Sequence, residues 1–261
     1  MTIYARALIT GATSGSGAAF AAQLPAPTSL LLTGRNRRRL EEMQKSLSRP
    51  GRQVAIIEAD LSNAADRERL AARAEEFAID LLINNAGAGA FGPVLENEPA
   101  AERTAAEVNT VAVADLTCRL LPGMIDRARA SHRRAGLINV SSTLAFQPTP
   151  FFATYAASKA FVLMYTQALA AELKREPIDL LTLCPGATRT AFGQRAGFAP
   201  GNLPGAADPA VVAREALSAL GKRPVRIMGP IARSLLGPGL TAQYLATQTL
   251  GTLMRAVGRA L

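Results

Sequence analysis

The sequence has no tryptophan, one histidine and two cysteines, and aromatic residues make up only 5% of its 261 positions. Each shortage excludes something. Cys118 and Cys184 sit in separate apolar segments, with no C-x-x-C spacing and no histidine near them, so no metal site is expected. Two buried free thiols fit a reducing compartment, and the chain is expected to be cytoplasmic. His132 lies in the polar stretch Ala130–Arg134 and reads as an exposed helix end rather than a catalytic group. Acidic residues are also in deficit, 20 against 29 basic ones, for a net charge of +9. The excess is scattered. Its densest runs, Arg37–Arg39 and Arg133–Arg134, lack interleaved aromatics, so no nucleic-acid partner is expected. No basic leader with a small-residue cleavage site precedes the first strand, so no signal peptide is expected. Proline, glycine or charge interrupts every apolar stretch within about 18 residues, which predicts no transmembrane helix.

Hydrophobic residues are 49% of the chain and charged residues 19%, as a packed core requires. Short apolar runs predict strands over Tyr4–Thr10, Ser29–Thr33, Gln53–Glu58, Leu81–Asn84, Gly136–Ser141, Asp179–Cys184 and Val225–Met228. Between them, Ala-rich segments carry helical periodicity over Arg37–Leu47, Ala64–Phe77, Ala100–Ala130, Thr154–Arg175 and Pro209–Leu220. Alternation of this kind builds βαβ units and a doubly wound parallel sheet with helices on both faces. The whole chain, 1–261, is expected to form one α/β domain. Gly186–Asp208 has no period and reads as a long functional loop. Residues 229–261 form a C-terminal extension, ending in an amphipathic helix over Thr241–Leu261 that packs on the body, on another subunit or against a membrane surface.

The first strand ends in Thr10-Gly11-Ala12-Thr13-Ser14-Gly15-Ser16-Gly17, and a helix follows. A glycine turn between strand and helix lets backbone approach a pyrophosphate, and the helix start supplies free N–H groups. The spacing Gly-x-x-x-Gly-x-Gly resembles that of the classical short-chain dehydrogenases/reductases. The resemblance implies a single Rossmann-type domain and a nicotinamide cofactor lined by Gly11, Thr13, Ser14, Gly15, Ser16 and Gly17. Ser16 departs from the family's usual isoleucine.

Where the second strand ends, an acid would hold the ribose hydroxyls of NAD and an arginine the 2′-phosphate of NADP. Here Gly34 stands at the acid's place and Arg35 follows, which favours NADP(H). Arg39, one turn on, reads as a solvated residue. The resemblance assigns Asp60-Leu61 to the adenine, and Asn85-Ala86-Gly87, within Asn84–Gly87, to the ribose. It assigns Pro185-Gly186 and Thr188 with Thr190 to the nicotinamide.

Tyr155 and Lys159 are four apart at a helix start and share a face. A phenol titrates near ~10, and a neighbouring ammonium lowers that value, so the pair is an acid/base candidate. Ser142 lies thirteen residues earlier at a strand end. By the resemblance Ser142 bonds the substrate oxygen, Ser141 does not, and Asn109 completes a proton relay through its backbone carbonyl. The expected activity is NADPH-dependent reduction of a small-molecule ketone or aldehyde. Phe146, Phe151, Phe152, Phe192 and Phe198 in the expected pocket segments point to an apolar one. The alternatives are an NAD-dependent alcohol dehydrogenase, against which Arg35 speaks, and a silent NADP-binding regulator, against which intact Ser142, Tyr155 and Lys159 speak. Arg189 and Arg195 either grip an anionic substrate, contact a cofactor phosphate or are solvated. The family's pairing through long central helices implies a homo-oligomer.

Overall fold

A computed structural model describes residues 4–197, 205–229, 232–237, 239–240, 243 and 246–249. Its seven strands are β1 (Arg6–Ile9), β2 (Ser29–Gly34), β3 (Val54–Glu58), β4 (Leu81–Asn84), β5 (Ala135–Val140), β6 (Ile178–Cys184) and β7 (Val225–Ile227). They form one parallel sheet in the order β3-β2-β1-β4-β5-β6-β7, with Ile9 flanked by Leu32 and Ile83. All seven expected strands are present. Their ends move by at most two residues, because the ladder stops where neighbouring strands stop pairing.

The helices are α1 (Gly15–Gln23), α2 (Arg37–Leu47), α3 (Ala64–Glu76), α4 (Pro99–Ala106), α5 (Ala112–Ala130), α6 (Ala153–Glu172), α7 (Phe192–Arg195) and α8 (Pro209–Ala219). Asn36, Asn63 and Asp208 start three of them by accepting backbone N–H bonds, which satisfies donors a helix leaves unpaired. The unbroken run Leu30-Leu31-Leu32 has a simple cause. Leu30 and Leu32 pack with Phe20 of α1 and Val212 of α8, and Leu31 packs on the opposite face with Leu70 of α3 and Leu116 of α5. Both faces are covered, so neither tolerates a polar residue.

Two helical pieces differ from expectation. The segment predicted as one regular helix, Ala100–Ala130, is helical from Pro99 to Ala130 but widens into a π-turn over Glu107–Val111. By length and composition this helix is apolar enough to cross a membrane, yet half of its most apolar window is buried inside the protein. Arg67 of α3 anchors it, reaching Asp115 at 3.0 Å and Glu107 at 3.5 Å. The long loop after β6 also contains a turn of helix, α7, whose four residues are too few to show a period. Residues 232–237 are helical as well. Of the helix expected over Thr241–Leu261, only 243 and 246–249 lie within the described residues, and they are helical.

The expectation of two buried thiols fails for one of them. Cys184 is buried, whereas Cys118 is exposed on the side of α5 turned from the sheet, 3.5 Å from the Tyr165 hydroxyl. Its neighbours Leu116, Thr117 and Leu120 take the inward positions of the helical repeat. His132 is exposed at the end of α5 with φ of 53°.

A buried polar chain crosses the middle of the sheet. The Asn84 amide donates to Asn139 Oδ1 at 2.9 Å and to Thr117 Oγ1 at 3.2 Å. Asn139 in turn donates to Thr166 Oγ1 at 2.9 Å, joining β4, β5, α5 and α6. Asn139→Ala strands two buried partners and is expected to lower unfolding free energy by about 3 kcal/mol, read from urea midpoints. A loss below about 1 kcal/mol would show that the chain does not hold the sheet's centre.

Candidate active site

The strand order reverses between β1 and β4, so their following connections leave in opposite directions and a crevice opens beyond the carboxyl ends. A cleft of about 1150 Å³ occupies this place. The glycine turn forms its floor. Gly11 and Gly15 have φ of 63° and 55°, which side chains rarely adopt. A Cβ on Gly11 would lie 2.8 Å from Ala86 Cα, and one on Gly15 would lie 2.7 Å from Thr190 Cγ2. The Asn85 amide binds this turn to β4 through bonds of 3.0 Å to Thr10 O and 3.3 Å to Gly11 O.

Thr13, Ser14, Ser16, Arg35, Asp60, Leu61, Asn85, Ala86, Gly87, Pro185, Gly186, Thr188 and Thr190 also line the cleft, as the sequence led one to expect. Gly17 does not line it. A Cβ there would sit 2.2 Å from Gly11 O, so Gly17 lets α1 pack under the turn instead of facing a ligand. Thr190 Oγ1 accepts the Phe192 N–H at 3.2 Å in the turn that leads into α7. The Asp60 carboxylate accepts from the backbone and hydroxyl of Ser62.

Ser142, Tyr155 and Lys159 meet on one wall of the cleft. Ser142 stands two residues beyond β5 and accepts the Leu144 N–H at 3.1 Å, which holds its hydroxyl still. Ser141 instead donates to Lys159 O at 2.7 Å and ties β5 to α6, a bracing role. Lys159 is 3% exposed; its ammonium donates to Val140 O at 2.9 Å and lies 5.7 Å from the Tyr155 ring centre. Asn109 sits in the π-turn and is fully buried. Its amide exchanges bonds of 3.0 and 2.8 Å with the Ala88 backbone and donates to Ser158 Oγ at 2.9 Å. Thus it joins the loop after β4 to α6 and does not itself line the cleft. Wide turns of this kind recur at functional sites.

A family model described as short chain dehydrogenase matches residues 5–198. The chain belongs to the short-chain dehydrogenase/reductase family. It is therefore an oxidoreductase of that family. A dehydrogenase/reductase SDR family member 7B from Bos taurus is 31% identical, covering 92% of this chain and 80% of its own. A short-chain dehydrogenase from Sphingobium yanoikuyae, solved in complex with NADPH, aligns with TM-score 0.82 at 29% identity over 92% of this chain and 94% of its own. A family member from Burkholderia phymatum, solved in complex with NAD, aligns with TM-score 0.77 at 26% identity over 88% and 91% of the two chains.

In this short-chain dehydrogenase/reductase the residues present fit a nicotinamide dinucleotide. The turn bars any Cβ at Gly11 or Gly15, and the cleft passes from Arg35 at one end to Tyr155 at the other. The electrostatics correct one expectation. Burial pushes the Tyr155 phenol up to about 12, against a hydrogen bond with Ser142 that favours the phenolate. Burial also pushes the Lys159 ammonium down to about 8. Desolvation outweighs the mutual benefit of the pair while the ammonium points at Val140 O.

Sequence reasoning missed Phe91. Its ring lies 5.0 Å from that of Phe152, which lies 5.4 Å from Tyr155, which lies 5.1 Å from Phe192. Phe91 N–H also donates to Ala196 O at 2.8 Å, joining the loop after β4 to α7. Nothing local marks Phe91, since its role depends on a loop a hundred residues away. Two expected pocket residues lie elsewhere. Phe146 packs with Ala145 and Leu163 in a small core cluster, and Phe151 stands exposed beside Phe91. Phe198 lies outside the described residues.

Gly17→Ala is expected to lower the melting temperature by roughly 5 °C and to weaken dinucleotide binding at least about tenfold. Thermal melts and a nicotinamide fluorescence titration check both. Unchanged binding would mean that the turn relaxes around the new methyl group.

Proposed function

We propose that the protein is an NADPH-dependent carbonyl reductase acting on a small, apolar ketone or aldehyde. The observation that carries this is the meeting of Ser142, Tyr155 and a buried Lys159 on one wall of a cleft whose floor is a glycine turn. A regulator without chemistry has no need of an ammonium held in a dry site, where its charge is costly.

The family's cofactor, when bound, supplies the hydride. The chain's own groups do the rest. The Ser142 and Tyr155 hydroxyls bond the carbonyl oxygen of the substrate and draw charge onto it. As that oxygen becomes an alkoxide, Tyr155 Oη gives it a proton. Lys159 then steadies the phenolate left behind. A phenol held near 12 keeps its proton throughout the neutral range, which suits a donor and hence reduction. The row Phe91, Phe152 and Phe192 beside Tyr155 supplies an apolar wall for the substrate's carbon skeleton. Arg35 follows Gly34 at the end of β2, where an acid would select NAD, and this supports NADPH as the reductant. Exposed Val111 in the π-turn, with Phe161 and Met164 on α6, supports pairing of two copies.

Tyr155→Phe is expected to reduce turnover by at least about a thousandfold while NADPH still binds. Normal turnover in that variant, or a wild type that prefers NADH, would end the proposal. The pH dependence has a defined sign. Lys159 carries its charge below about 8 and loses it above. Hence kcat/KM for reduction is expected to be level at lower pH and to fall as pH rises through that value. A profile level to the Tyr155 range would show that the ammonium is not needed.

A further inference from the structure

The end of the cleft beyond β2 collects positive charge from distant parts of the chain. Arg35 and Arg39 come from the β2–α2 connection and the first turn of α2, and Arg195 comes from α7, within the long loop that follows β6. Their neighbours are already paired: Arg37 with Glu41, Arg38 with Glu42 and Arg189 with Asp208. Among the described residues, no carboxylate lies within ion-pair distance of Arg35, Arg39 or Arg195. Arg195 Nη1 crosses the cleft to Ser14 Oγ at 3.3 Å. Partial burial, and then the nearness of Arg35, hold its guanidinium below the usual value. Like charges facing one cavity without a counter-charge are costly unless an anion arrives.

The location narrows which anion. Ser14 follows Thr13, whose methyl lies 2.9 Å from where a Gly34 Cβ would be. Gly34 is the last residue of β2, so Thr13, Ser14 and Arg35 share the adenosine end of the site. The opposite end is marked by Tyr155. Arg195 belongs to the same short helix as Phe192, which stacks beside Tyr155. One turn of helix thus touches both ends.

We propose that Arg195 is a cofactor-specificity residue: with Arg35 it grips the 2′-phosphate of NADP(H), and in doing so holds α7 closed over the cleft. This rests on the NADPH reading above. Phosphate recognition by this loop fixes Phe192 at the substrate wall, so the 2′-phosphate governs loop order as well as affinity.

The test uses fragments that lack the nicotinamide. Calorimetric titration of the full chain with adenosine 2′,5′-bisphosphate and with 5′-AMP compares binding with and without the 2′-phosphate. Arg195→Gln is expected to weaken the bisphosphate about tenfold and leave 5′-AMP unchanged. Arg195→Lys should recover part of the loss. In the wild type the bisphosphate should protect residues 189–197 from limited proteolysis, and in Arg195→Gln it should not. Equal weakening of both ligands would reduce Arg195 to a general support of the loop and overturn the proposal. So would bisphosphate binding that survives Arg195→Gln but is lost in Arg35→Ser, which leaves the NADPH reading intact. A wild type that binds the two ligands alike overturns that reading and this proposal together.

Discussion

The site depends on keeping one ammonium out of water. Lys159 is held among Val140, Gly87 and Asn109, with a single carbonyl 2.9 Å from its nitrogen. Burying a charge is unfavourable unless the surroundings supply compensating dipoles, and supplying them dictates much of the local architecture. β5 must end where Val140 O can accept. Ser141 must clip α6 to that strand. Gly87 lies against the same pair, since a Cβ there would come into ordinary contact with Asn109 Oδ1 and Lys159 Nζ at 3.5 and 3.6 Å. A group whose proton is held only loosely gains catalytic usefulness from the same burial that makes it unfavourable.

The glycine turn is the second constraint, and it works through exclusion of atoms rather than attraction. Backbone at Gly11 touches Ala86, Gly15 touches Thr190 and Gly17 touches Gly11 O. Three chain segments from the ends of β1, β4 and β6 therefore converge to van der Waals contact. That convergence is what the reversal of strand order between β1 and β4 makes possible.

What the sequence revealed follows from how far each interaction reaches. Leu30-Leu31-Leu32 announces a strand buried on both faces because the signal is contained in the run itself. Tyr155 and Lys159 announce a shared helical face for the same reason. The π-turn at Glu107–Val111 was not legible, since no residue preference separates it from the flanking α-helix, and Asn109 was singled out only through a family likeness. α7 is too short for periodicity, and the contact of Arg195 with Ser14 spans 181 positions. Phe91 and Phe146 exchanged their expected importance because loop packing, not composition, decides which aromatic ring faces a cavity. Cys118 shows the same limit. An apolar setting in sequence does not say which side of a helix a residue occupies.

The wide turn in the middle of the long helix carries a consequence for how such a protein can vary. Each residue in a helix advances the direction of its side chains by about 100°. An extra residue within the helix therefore re-phases everything on one side of it relative to the other. Here the phase of α5 is set by Leu116, Leu120 and Met124 against the sheet, and that of α4 by Ala105. Removing one position between them would turn one half out of register, burying polar groups or exposing apolar ones. Length changes should thus be tolerated in the loops before Pro99 and after Ala130, but not between them, even where the side chain removed makes no contact of its own.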